Sequence, residues 1–149
     1  MLIDARTVPA GKVIETDVCI IGGGAPGITL AREFIGQPYR VCLLESGGLE
    51  FEPETQALYK GENIGRSYFP LDASRLRYFG GSTNHWEGLC LPLDEIDFEA
   101  REWIAHSGWP FDRAHLDAYY RRSQSICQLG AFAFGAEAWE SKDTPRLAF

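Results

Sequence analysis

DVCIIGGGAPGITLAREFIGQPYRVCLLE, residues 17 to 45, decides the fold. Its first five residues, Asp17 to Ile21, form a short apolar run of the kind shown by a parallel strand covered on both faces. The run enters GGGAPG, Gly22 to Gly27, and then ITLAREFIG. There Ile28, Ala31, Phe34 and Ile35 recur at helical spacing, until Gly36 and Pro38 supply a stop. RVCLLE, Arg40 to Glu45, reads as a second apolar strand closed by SGG. Strand, glycine turn, helix and strand within about 30 residues predict a βαβ unit over 17–45, its parallel strands joined by a right-handed crossover.

The turn has its own chemistry. Gly22, Gly24 and Gly27 fit G-x-G-x-x-G, with Ala25 and Pro26 between the last two. The first glycine makes the tight turn, the second leaves bare backbone for a pyrophosphate, and the third lets helix and strand pack closely. The pyrophosphate would lie at the positive end of a helix beginning near Ile28. Glu45, at the end of the second strand and followed by Ser46, stands where a carboxylate accepts hydrogen bonds from the ribose of an adenine dinucleotide. Together these residues predict a dinucleotide site and leave both NAD and FAD open.

A second unusual stretch is RLRYFGGSTNHWEG, residues 75 to 88. Gly80 and Gly81 permit backbone contact with a flat or charged ligand, and Arg77 can bind phosphate or brace a carboxylate. Ser82, Thr83 and Asn84 can donate to the polar edge of a ring, and His85 and Trp86 add an imidazole and a large flat side chain. The wider region from Leu49 to Leu93 is irregular and long enough to be functional. Beyond it a helical segment is predicted over 97–128. Asp97 caps a short helix carrying Phe98, Trp103 and Ile104. Asp112 caps a longer one with Leu116, Tyr119, Tyr120, Ser123, Ile126 and Cys127 on one face. Trp103, Trp109, Tyr119 and Tyr120 read as core or interdomain packing, and His106 and His115 as surface or capping residues. The tail from Gly130 to Phe149 has no clear pattern.

With 149 residues the chain is long enough for one domain with a core. Its formal charge of −7, from 21 acidic and 14 basic side chains, repels phosphate backbones and anionic lipid, which argues against nucleic acid as a partner. No stretch approaches the roughly 18 apolar residues of a membrane span, and MLIDARTVPAGKVIETD has no basic region leading into an apolar one. The expectation is a cytoplasmic protein. Cys19, Cys42, Cys90 and Cys127 form no C-x-x-C, so buried, reduced thiols are expected and a metal site is not. Two parallel strands cannot cover their own faces, so the chain reads as the N-terminal part of something larger.

DVCIIGGGAPG, LLESGG, RLRYFGGSTNHW and SGWPFDRAHLDAYY, in that order across about residues 15 to 130, resemble the N-terminal part of the glucose-methanol-choline (GMC) oxidoreductases, particularly the branch of pyranose oxidases and bacterial sugar dehydrogenases. The resemblance implies an α/β, Rossmann-like FAD-binding fold, present here as its N-terminal portion and incomplete without further chain. It also implies oxidation of a sugar or glycoside CH–OH by hydride transfer to flavin. Gly22, Gly24, Gly27 and Glu45 would hold the ADP half, and a loop over 75–90, Arg77 to His85 above all, would lie along the pyrophosphate and isoalloxazine. His85 matches a histidine that pyranose oxidases link covalently to FAD, although S-T-N-H-W stands here where they have M-S-T-H-W. Covalent attachment, non-covalent flavin contact and a structural role all stay open for it. In the family the general base comes from near the C-terminus of a longer chain, so no catalytic residue is assigned within 1–149. The remaining polypeptide or a second subunit would complete the site. An NAD-dependent dehydrogenase domain, or a non-catalytic flavin-binding subunit, are the other readings of the same residues.

Overall fold

The computed structural model describes residues 1 to 141 and residue 143. The last residues of the 1–149 span, and with them the end of the unassigned tail, lie outside the described ones. The chain divides into two units, Met1–Glu87 and Gly88–Phe149.

In the first unit, β1 (Val18–Ile21) and β2 (Val41–Leu44) pair in parallel with α1 (Ala25–Glu33) between them in sequence. Val18 is opposite Val41, Cys19 opposite Cys42, Ile20 opposite Leu43 and Ile21 opposite Leu44. Asp17 N–H donates to Arg40 O at 2.9 Å and Gly22 N–H to Leu44 O at 2.8 Å, which carries the ladder past both strand ends. The helix begins three residues earlier than the apolar spacing predicts. Pro26 is the reason: its fixed φ suits a first turn, and Gly24 serves as the N-cap. After Glu33 the chain tightens through Phe34 and Ile35 and turns at Gly36, whose φ of 79° is left-handed.

Alternation in the strands separates two faces. Ile20, 6% exposed, points toward α1, whose Gly27 backbone approaches its Cγ2. Cys19, Ile21, Cys42 and Leu44 share the opposite face, where Ile21 is 86% and Leu44 49% exposed. The unbroken apolar run predicted a strand covered on both sides, yet the described residues cover one. The expectation of buried thiols fails for the same reason, since Cys19 is exposed and Cys42 only half-buried.

The stretch after β2 is less irregular than its glycines and prolines imply. It contains α2 (Pro53–Gln56), a 3-10 turn at Ala57–Tyr59, α3 (Leu71–Ser74) and a second 3-10 turn at Gly81–His85.

The second unit holds α4 (Glu95–Phe98) and α5 (Asp117–Ile126), the latter entered through a 3-10 turn at Arg113–Leu116. Asp94, not Asp97, caps α4. Asp97 stands three residues in and returns its carboxylate to Asp94 N–H at 2.9 Å, so the two form a reciprocal capping box. Phe98, 7% exposed, packs against Trp109 and Phe111 with centroids 6.3 and 6.1 Å apart. The helix stops there, because Ser107 Oγ accepts from Arg101 N–H and donates to Arg101 O, folding 101–107 into a loop. Trp103 is consequently exposed rather than core, and Trp109 and Tyr119 are also largely open. Asp112 caps as predicted, accepting from His115 N–H at 3.1 Å, and the His115 ring lies on Phe111. Cys127, placed on the inward face by its spacing, is exposed at the helix end. Among the described residues no helix is long and apolar enough to cross a membrane.

Candidate functional site

The glycine turn is built by three different constraints. Gly22 has φ 104°, a backbone angle that L side chains rarely adopt. A Cβ on Gly27 would overlap the Gly22 carbonyl oxygen, so the third glycine is demanded by packing. Gly24 differs from both: its φ is −78° and ψ −177°, and the nearest atom to a Cβ there is Pro26 Cδ at 4.0 Å. Nothing in the folded chain requires a glycine at position 24. Helix geometry leaves Ala25 and Gly27 N–H without intrahelical partners, Pro26 has no N–H, and no side chain caps the helix.

Glu45 ties this turn to the next segment. One carboxylate oxygen accepts from Gly23 N–H at 2.7 Å; the other accepts from Gly47 N–H at 2.9 Å and from Ser46 Oγ at 3.3 Å. Burial pushes the carboxyl up, but the N–H groups of Gly47, Gly23 and Ser46 and the Ser46 hydroxyl outweigh it, and the group sits below its ordinary range. A folded-state pKa below the unfolded value means that the stabilisation is complete above the unfolded pKa and is lost as pH falls through the folded one. Glu45→Gln is therefore expected to cost about 2 kcal/mol near neutral pH, as one charged acceptor is replaced by an amide facing an N–H donor. Urea unfolding at a series of pH values checks this: the gap between wild type and variant should close below about pH 4.

The arginine and glycine segment docks on the same turn. Gly80 N–H donates to Gly23 O at 2.8 Å, Phe79 N–H to Gly48 O at 2.9 Å, and Gly24 and Gly80 form a parallel bridge. A Cβ on Gly47 would overlap the Arg77 carbonyl oxygen and lie 2.6 Å from Tyr78 Cα, so the SGG backbone is flush against Arg77 and Tyr78. Gly80 and Gly81 both have positive φ, 93° and 58°, and Gly81 brings its Cβ direction to 3.4 Å from Gly24 Cα. Three stretches far apart in sequence, 22–27, 45–48 and 77–85, thus meet around one turn.

Two residues that sequence reasoning passed over hold this arrangement. Gln56, 6% exposed, donates to Asp72 O and Arg75 O at 2.6 and 2.7 Å and accepts from Arg77 N–H at 2.9 Å, pinning the approach to the glycine pair. The Tyr59 ring lies 4.8 Å from the Arg77 guanidinium carbon. Neither carries a signal in the sequence beyond following Pro53 in a short helical turn. Arg77 Nε is buried without a hydrogen-bond partner among the described residues, leaving a donor available at the site.

The polar residues after the glycine pair are turned toward the backbone. Ser82 Oγ accepts from Leu76 N–H at 3.2 Å, Thr83 Oγ1 donates to Gly80 O, and Asn84 Nδ2 donates to Phe79 O and Gly81 O, both at 3.0 Å. These bonds shape the 3-10 turn and employ the Thr83 and Asn84 donors that the sequence offered to a ring edge, with Ser82 as an acceptor. His85 ends that turn, exposed and without a hydrogen bond among the described residues, and Trp86 follows at 47% exposure.

The sequence that builds this site has a relative among known proteins. It is similar to the 6'''-hydroxyparomomycin C oxidase of Streptomyces lividus, with 32% identity over 130 residues. The match takes in 74% of this chain and 23% of that relative, so the chain spans less than a quarter of the oxidoreductase it resembles. No protein-family model matches the sequence. No solved structure matches it either.

Proposed function

We propose that this chain is the FAD-binding part of an oxidoreductase of GMC type that oxidises a CH–OH group of a sugar or glycoside. Gly24 carries the reading. Its backbone angles suit any residue and its Cβ direction is open, so a ligand lying against the backbone would account for a glycine there. A pyrophosphate fits, because Ala25 and Gly27 present N–H groups at the positive end of α1. Glu45 keeps acceptor capacity beyond its bonds to Gly23, Ser46 and Gly47, enough for ribose hydroxyls. The docking of 77–85 on the turn supports FAD over NAD, since the glycine turn and Glu45 suffice for NAD and leave this second segment without a role.

When bound, FAD would accept the hydride released from the alcohol carbon. Arg77, with its unpartnered Nε, would hold negative charge near the pyrophosphate. His85, whose side chain is exposed and unengaged, would contact or covalently link the flavin. The residue taking the hydroxyl proton would come from further polypeptide, which would also cover the Ile21 and Leu44 face of the sheet. The likeness to a relative named as an oxidase supports the reaction class.

Gly24→Ala tests this reading directly. The substitution should leave the urea midpoint unchanged, while FAD affinity, followed by quenching of flavin fluorescence, falls at least tenfold, about 1.4 kcal/mol. Unchanged FAD affinity, or binding of NADH in place of FAD, would overturn it.

A further inference from the structure

Apart from the dinucleotide site, two thiols come together in the second unit. A groove of about 310 Å³ is lined by Leu89, Cys90 and Leu91 together with Tyr120, Ser123 and Cys127 of the α5 region. Tyr120 Oη accepts from Leu93 N–H at 3.3 Å, which holds the loop against the helix. Cys90 is half-buried and Cys127 exposed. Both thiols line this one groove, and burial first, then the charge and thiol of Cys127, raise the Cys90 thiol above its ordinary range.

We propose that Cys90 and Cys127 form a reversible disulfide on exposure to a peroxide. Cys127, the accessible member, attacks as its thiolate. The peroxide O–O bond breaks, Cys127 becomes a sulfenic acid, and the departing hydroxide takes a proton to give water. The Cys90 sulfur then attacks the Cys127 sulfur; the S–O bond breaks, the S–S bond forms, and hydroxide leaves with the Cys90 proton as a second water. Two thiols lose two electrons and one hydrogen peroxide gains them. The bond would fasten the loop at Leu89 to Pro92 onto the C-terminal end of α5, and a dithiol would release it.

The other cysteine pair is a built-in control. Cys19 and Cys42 are register partners on adjacent parallel strands. Register partners on parallel strands have parallel Cα–Cβ bonds, so their Cβ atoms stand about as far apart as the strands, about 4.8 Å, beyond the roughly 3.5–4.5 Å of a disulfide. They should stay reduced.

The experiment treats the reduced full chain with a few equivalents of hydrogen peroxide, blocks remaining thiols by alkylation and maps the peptides by mass spectrometry. Reactive thiols are expected to fall from four to two, with a peptide linking Cys90 to Cys127 that dithiothreitol removes. Cys90→Ser should leave a sulfenic acid on Cys127 that dimedone captures, and Cys127→Ser should abolish the link and leave Cys90 alkylatable. The oxidised chain should melt several degrees higher, because the bond closes a long loop. Four alkylated cysteines in peroxide-treated wild type, irreversible oxidation of Cys127 without a link, or a Cys19 to Cys42 link would each overturn the proposal. Mapping the wild-type chain alone decides it if a variant fails to fold.

Discussion

Gly27→Ala is expected to destabilise the first unit by about 3 kcal/mol or more and to abolish FAD binding. The sign is what makes it informative. Gly27 is the third residue of α1, and in an ordinary helix position alanine is favoured over glycine by about 1 kcal/mol. Here the new methyl would coincide with the Gly22 carbonyl oxygen and sit 3.1 Å from the Gly22 carbonyl carbon and 3.5 Å from Ile20 Cγ2. Ile20 is one of the few buried apolar residues described, so relief by moving α1 outward would expose the small core it covers. Relief by moving Gly22 would break its N–H bond to Leu44 O and the ladder end that sets up Glu45. A loss of this size moves the urea midpoint by more than about 1 M. Gly24→Ala, three residues away with 4.0 Å of clearance, should leave that midpoint in place.

Gly47→Ala is expected to separate the two halves of the site while sparing β1, α1 and β2. Its methyl would overlap the Arg77 carbonyl oxygen and press on Tyr78 Cα, both backbone atoms that cannot turn aside as a side chain can. Segment 77–85 would have to leave the turn, giving up Phe79 N–H to Gly48 O and Gly80 N–H to Gly23 O. The cost is roughly 2 to 3 kcal/mol, enough to speed tryptic cleavage after Arg75 and Arg77 by at least tenfold if the opened form is the one cut. Gly48→Ala is the matched control. A Cβ there meets Glu52 Oε1 at 3.2 Å, the end of a flexible side chain, and cleavage should be little changed.

The parts of the molecule legible in the sequence were those governed by local rules. Strand positions followed from the apolar runs at 17–21 and 40–45, and the structure trims each to four residues. The α1 start was misread because Ile28 begins the apolar period, whereas Gly24 and Pro26 begin the helix. Asp97 reads as a cap because either member of a reciprocal pair of aspartates looks like one; the true cap is Asp94. Long-range consequences were not legible. Gln56 pins the arginine segment through three backbone groups, an outcome of where the chain returns in space rather than of any pattern around it. The cysteines read as buried because apolar runs predict cover, and the described residues leave the Cys19 and Ile21 face open. The Cys90 and Cys127 pair is 37 positions apart and obeys no short spacing.

Hydrogen exchange on the full chain, with and without saturating FAD, gives the sharpest single test of one site built from three segments. Protection should rise together in peptides covering 22–28, 45–48 and 77–85, by at least tenfold in exchange rate, with 95–126 unaffected. Protection confined to 22–28, and reproduced equally by NADH, would show that the second glycine segment serves the fold alone and that the flavin reading is wrong.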